Sequence, residues 1–196
     1  MTTESLNRPI LASNSPHRKE ILSSLGIDFV TVPPRIDEIE TSACYLMIPF
    51  INARRKADCV SKEFPESLIL GADTVIEFEN RSVGKPRDIR SAVDMLLQFS
   101  GKTHRVVTAV CLLRNADMTE CLFADVSEIE FKKITEKTIE KYFMGVNPLN
   151  KAGGYAIQND HGMLIERVRG SKSNVVGLPA EKLTIALRSC GLRIKV

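Results

Sequence analysis

Short apolar runs of strand length alternate with longer stretches of helical period along the chain, and no other feature restricts its fold as strongly. Runs such as LILGA and VVTAVCLL are bounded by turn residues, and between them apolar positions recur three and four apart. Strands alternating with helices imply an α/β architecture. No Pro/Gly/Ser-rich linker, repeat or low-complexity tract divides the chain, so one domain over residues 1–196 is expected. With 196 residues, 43% of them hydrophobic, there is apolar material for one sizeable core and room for a second lobe.

Residues 9–12 read as a short strand that hands over through SNSP to a helix ending near residue 25. Ser15 is its N-cap, Pro16 its first residue and Gly26 its stop. A strand is expected at 28–32, closed by Pro33-Pro34, then a helix at 43–61 in which Pro49 marks a kink or a later start. A strand at 67–72 leads into Asp73. Residues 79–81 read as a hairpin tip and 89–99 as a helix. Segments 104–113 and 118–131 read as long strands in the middle of a sheet, joined through 114–117. Thr135 opens a helix to about 144, 161–169 is another strand, and 179–190 is a closing helix ended by Gly191.

Charge excludes some functions. Lys+Arg 27 against Asp+Glu 24 leaves +3, too weak a bias to attract nucleic acid or an acidic membrane, so a bound anion must be caught by local geometry. The five cysteines never form a C-x-x-C pair and mostly sit among apolar neighbours, which fits a reducing compartment. The first nine residues lack the apolar stretch of a signal peptide, and no run approaches the length of a membrane span. A cytoplasmic protein without nucleic-acid or membrane partners is expected. Neither Cys/His ligand spacing, a G-x-S-x-G elbow nor a G-x-x-x-x-G-K-[ST] loop occurs, which removes support for zinc enzymes, serine hydrolases and P-loop NTPases.

Two segments carry the chemistry. In LASNSPHRKEIL, His17 and Arg18 fall in the first turn of a helix, where free N–H groups already present partial positive charge. An added cation is disfavoured there unless an anion joins it, and phosphate is the natural guest, with Ser13 and Ser15 as further donors. The alternative is an ordinary capped helix with a solvated Arg. In LILGADTVIEF, Asp73 interrupts an apolar run that should be buried. At a strand end it would face a cation, a metal or a solvated cleft, or else bond its own backbone as a turn residue. Thr74 beside it could serve only as a β-former.

Supporting residues are less specific. Lys56 in a helix, Lys85 between Gly84 and Pro86, and Lys151 before Gly153-Gly154 are each expected to be solvated, or to bind phosphate if gathered. Asp37 and Glu38 in RIDE are a solvated acidic loop or a pair of oxygen ligands for a divalent ion. His104 and His161 read as structural. Together these residues suit metal-assisted phosphate-ester or phosphoanhydride chemistry.

The motifs LASNSPHRKEIL, GADTVI, GKPRD, SGKTHRVVTAV, KAGGYAIQ and NVVGLP, in that order from residue 10 to about 180, resemble the Maf family of nucleoside triphosphate pyrophosphatases. The resemblance implies a mixed, twisted central sheet flanked by helices, with two lobes around a cleft, related to the ITPase-like fold. It implies hydrolysis of a nucleoside triphosphate to the monophosphate and pyrophosphate with Mg²⁺ or Mn²⁺, and members are often homodimers. Asp73 and Glu38 match the family's acids and are assigned the metal and base roles, while Ser13, Arg18, Lys56 and Lys85 match its phosphate-handling positions. Lys151 is added as a substrate-binding residue.

His17, Thr74 and Gln158 fall at positions that follow specificity. Thr74 and Gln158 resemble the dTTP/UTP subgroup, whereas His17 stands where that subgroup usually has Arg, a change that would relax or shift nucleotide choice. The alternative from another class is a nucleotide-binding regulator of septum formation and cell division with little turnover.

Overall fold

In the computed structural model, residues 8–40, 42 and 44–192 are described; the reading of the amino-terminal stretch and the helix start at 43 lie outside them. The strands are β1 (Ile10–Ala12), β2 (Val30–Thr31), β3 (Ile69–Phe78), β4 (Arg81–Val83), β5 (Thr103–Arg114), β6 (Thr119–Phe131) and β7 (Ile165–Arg169). The helices are α1 (Pro16–Ser24), α2 (Ile48–Ser61), α3 (Ile89–Phe99), α4 (Glu136–Phe143), α5 (Lys172–Val176) and α6 (Ala180–Ser189). One seven-stranded sheet has the order β2-β1-β3-β5-β6-β7, with β4 also paired to β3. β1 is parallel to β2 and β3, whereas β3–β4 and β6–β7 are antiparallel, so the sheet is mixed.

Local chemistry explains most element boundaries. Ser15 caps α1 by accepting the Arg18 N–H, and Pro16 opens it, as the sequence indicates. Pro49 marks a later start, not a kink: a short 3₁₀ turn over Tyr45–Met47 precedes α2, and proline's missing N–H is harmless in a first turn. Asp88 and Ser91 form a reciprocal capping box at α3, and Thr135 caps α4.

Two expectations need correction. β3 does not end at residue 72; it runs on through Asp73 to Phe78, because TVIEF has strong strand propensity and the carboxylate finds partners within the protein. β7 starts at Ile165 instead of 161, since His161 and Gly162 have φ of 45° and 75°, values no strand accommodates. α5 and the 3₁₀ turns at Ala152–Gly154 and Ile157–Asn159 were not anticipated.

The chain divides into two compact units, Met1–Thr74 with Thr108–Asp125 and Gly177–Val196, and Val75–Val107 with Val126–Val176. In the first, Leu11, Leu70 and Leu112 pack with Leu22 and Leu183, while the alternate strand positions Ile10, Ile69 and Cys111 pack with Ala53 and Ala57 of α2. The period of two thus gives each strand two buried faces. Gly71 is required here: a Cβ would lie 2.2 Å from the Ala53 carbonyl oxygen, so only glycine lets α2 approach β3 this closely. The second unit is built around Ile76, Leu96, Phe99, Ile129, Phe131 and Ile139. Among the described residues, no helix is long and apolar enough to cross a membrane.

Candidate active site

Within the first unit, the approach of α2 to β3 brings a lysine onto a carboxylate. Asp73 is 6% exposed and Lys56 is 4% exposed. Lys56 Nζ donates to Asp73 Oδ1 at 2.8 Å and to the Ala72 carbonyl at 3.3 Å, and it pairs with Glu38 Oε1 at 2.8 Å. One ammonium therefore bridges two carboxylates. The expectation of a solvated Lys56 is overturned, because its position on the buried face of α2 leaves these acids as its partners. Of the alternatives for Asp73, the structure shows the cation.

Asn52, one helical turn before Lys56, was missed. Its Oδ1 accepts from Ile39 N at 2.8 Å, and its Nδ2 donates to Ile39 O at 2.9 Å and to Asp73 Oδ2 at 3.2 Å. One amide thus fixes the loop that carries Glu38 and orients the second oxygen of Asp73. Their spacing of four puts Asn52 and Lys56 on one helix face, but nothing local in the sequence says that this face is buried. Asp37 and Glu38 are both exposed, and it is Glu38 whose carboxylate reaches Lys56.

Arg18 also points inward. Its Nε donates to the Gly177 carbonyl at 3.0 Å, Nη1 to Ser13 Oγ at 3.3 Å and Nη2 to Thr74 Oγ1 at 3.2 Å. Thr74 Oγ1 lies 2.9 Å from Thr108 Oγ1, a second residue the sequence did not single out. Burial pushes the Arg18 pKa below its ordinary value, while Asp73 and Glu38 pull it back up. All three acceptors on Arg18 are neutral, so its charge is oriented without being matched by a direct carboxylate contact. His17 sits on the outer side of the same turn, its Nδ1 3.5 Å from Glu20 Oε2.

The two acids have the donor chemistry of ligands for a hard cation. Asp73 and Glu38 each place an oxygen 2.8 Å from one Nζ, so two hard oxygens converge on the position of a single cation. Among the described residues, no group of three His, Cys, Asp or Glu assembles a fuller cage. Two carboxylates suit a divalent ion whose remaining ligands come from phosphate and water.

The second unit holds the other candidates. Lys85 is exposed, and Gly153 N donates to Gly84 O at 2.9 Å, tying the loop of Lys85 to the turn that follows Lys151. Gly153 lets the turn approach the core, since a Cβ at its φ of 67° would lie 2.6 Å from Ile76 Cδ1. Gln158 is exposed on the next 3₁₀ turn.

Two tyrosines secure this segment. The Tyr142 hydroxyl accepts from Ala156 N at 2.9 Å and donates to Ala156 O at 3.2 Å, and burial raises its pKa to about 12. The Tyr155 hydroxyl lies 2.6 Å from His104 Nε2. Phe99 stacks on the His104 ring at 4.3 Å, and burial lowers the His104 pKa to about 3. His104 is thus a neutral core residue, in agreement with its structural reading, and exposed His161 belongs to the positive-φ turn.

With this geometry in place, comparison with known proteins is decisive for the family. The Maf-like protein family matches residues 8–190. The chain belongs to the Maf family. A Maf relative from Akkermansia muciniphila, named dTTP/UTP pyrophosphatase, is 39% identical over 185 residues, covering 94% of this chain and 97% of the relative. One of the same name from Aquifex aeolicus is 36% identical, covering 94% and 96%. Among solved structures, the Ham1 protein of Staphylococcus aureus matches with a TM-score of 0.53 at 15% identity, covering 94% of this chain and 99% of that one. That last likeness establishes a shared fold.

Proposed function

We propose that this Maf protein hydrolyses the α–β phosphoanhydride of nucleoside triphosphates, dTTP and UTP foremost, releasing the monophosphate and pyrophosphate. The carrying observation is the bridge from Lys56 to a buried acid, Asp73, and an exposed one, Glu38, with Asp73 on a strand whose next residue, Thr74, receives Arg18. The names of Maf relatives aligned across nearly the whole chain support the substrate class.

Each side chain then has a task. The water oxygen bonds to the α-phosphorus as the bond from that phosphorus to the bridging oxygen breaks, and pyrophosphate leaves with the bridging oxygen. Asp73 orients the water and accepts its proton; Lys56 and Asn52 hold the carboxylate in place for this. Arg18 presents its guanidinium to phosphate oxygens with Ser13 as a further donor, and Lys85 and Lys151 neutralise charge on the triphosphate and the leaving group. Asp73 and Glu38 would hold Mg²⁺ or Mn²⁺, which supplies charge neutralisation at the phosphates when bound. His17, Thr74 and Gln158 tune nucleotide choice. The reading includes a single domain over residues 1–196, a cytoplasmic location and a homodimeric assembly.

The test is pyrophosphate release from a panel of ribo-, deoxy- and methylated triphosphates, with Mg²⁺ or Mn²⁺. Asp73→Asn should lower kcat by about 10²–10⁴-fold while the protein stays folded. Folded wild-type protein that releases pyrophosphate from no nucleotide would leave a nucleotide-binding regulator as the better account.

A further inference from the structure

The unit that carries Gln158 contains a cavity of about 610 Å³, within the roughly 300–1,000 Å³ span of small-molecule sites. Ile157, Ile165 and Val176 give it apolar walls, and Gln158, Arg167 and Lys172 give it polar ones. Arg167 and Lys172 are exposed, and neither makes an ion pair or side-chain hydrogen bond to another described residue. Asp160 also lines the cavity, but its two oxygens already accept from the backbone N–H groups of Gly162, Leu164 and Ile165. That leaves Glu166 as the one other acid in the lining.

The backbone around this cavity is shaped in ways a plain strand is not. In the β6–β7 pairing, Phe131 faces Ile165 while Glu130 faces Arg167, so Glu166 is an inserted residue. Such a bulge re-aims side chains, and here Arg167 and its neighbour Val168 line the same cavity although alternation would separate them. On the opposite side, the Asp160 hydrogen bonds hold the turn at His161 and Gly162 in its positive-φ conformation.

We infer that this cavity receives the nucleobase, and that Arg167 and Lys172, with Gln158, select a pyrimidine-2,4-dione over a 4-amino pyrimidine. The inference rests on the function proposed above and adds residues to it. Uracil and thymine carry carbonyl acceptors on either side of one N3–H donor. The cavity offers the converse set: cationic donors from Arg167 and Lys172, and the Gln158 Oε1 as acceptor for the N–H. Cytosine replaces one carbonyl with an amino donor and turns N3 into an acceptor, so it would set donor against cation and acceptor against acceptor. The apolar walls suit the faces of a flat ring.

The experiment compares kcat/KM for UTP and CTP in wild type, Arg167→Ala, Lys172→Ala and Lys172→Glu, alongside equilibrium binding of UMP and CMP. Wild type should favour UTP; each alanine variant should cut that preference about tenfold, chiefly through a raised KM for UTP. Lys172→Glu, which supplies an acceptor for the cytosine amino group, should move the ratio toward CTP. A UTP/CTP ratio constant within about twofold across all four proteins would overturn the inference, as would equal binding of UMP and CMP by wild type. If wild type turns over no triphosphate yet binds UMP over CMP, and the variants lose that preference, the base site stands and the proposed reaction falls.

Discussion

The two units treat their candidate site residues in opposite ways. In the first, the side chains of Asp73, Lys56, Asn52 and Arg18 are each held by named partners at 2.8 to 3.3 Å before any substrate arrives. In the second, Lys85, Gln158, Arg167 and Lys172 are exposed, and the order lies in the backbone beneath them. On the function proposed above, the groups that would act on the reacting bond are fixed in advance, where a small displacement is costly, and those that would recognise the ligand are left for it to order. Changes in the first unit should therefore register as lost stability as well as lost activity, and changes in the second chiefly as altered selectivity.

The most severe break of this contrast is Lys56→Met. It leaves Asp73 buried without its cation, and urea unfolding should show a loss of about 3–5 kcal/mol. In an Asp73→Asn background the same change should cost less than half as much, since no buried charge is stranded. A loss under about 1 kcal/mol in the single variant would show that the bridge is not a buried ion pair in solution. Asn52→Ala comes next, with about 1–3 kcal/mol lost and faster hydrogen exchange in the loop of Glu38.

A smaller effect tests the core of the second unit through pH. The folded His104 pKa of about 3 lies below the unfolded value near ~6.5. Below pH 6.5 the unfolded chain binds a proton that the folded chain refuses, so this histidine's contribution is level above that pH. It falls by about 1.4 kcal/mol for each unit of acidification until the folded pKa is reached. Thermal unfolding followed from pH 7.5 to 5 should show this slope, and His104→Gln should flatten it. Smallest of all, Lys172→Ala should shift unfolding by no more than about 0.5 kcal/mol. A larger destabilisation would mean that the cavity's cations support the fold after all.

Much of this was legible in the chain, and the failures share a cause. Caps and turns are local: Ser15 and Thr135 announce their helices, and Pro49 narrows its own to a kink or a later start, through chemistry confined to a few residues. Asp73 could be named from its apolar context, whereas RIDE alone leaves Asp37 and Glu38 as a solvated loop or a pair of ion ligands and only the family resemblance singles out Glu38. What could not be read was the partner. Lys56 and Asn52 look like ordinary helix residues until α2 is laid against β3, an approach set by the absence of a side chain at Gly71. The same blindness cut β3 at Asp73, where a polar residue suggested a strand end and a tertiary ion pair made continuation possible. The bulge at Glu166 and the turn at His161 depend on pairing and on backbone conformations that periodicity does not encode.

Arg18 and Lys56 bring two positive charges to the first unit's constellation, and Asp73 and Glu38 bring two negative ones. Their sum is zero. A neutral quartet exerts little pull on a distant polyanion, so the encounter rate at this unit should respond only weakly to ionic strength. A long phosphodiester backbone would find no electrostatic track to follow in this quartet, so whatever anion settles there is held by short-range fit.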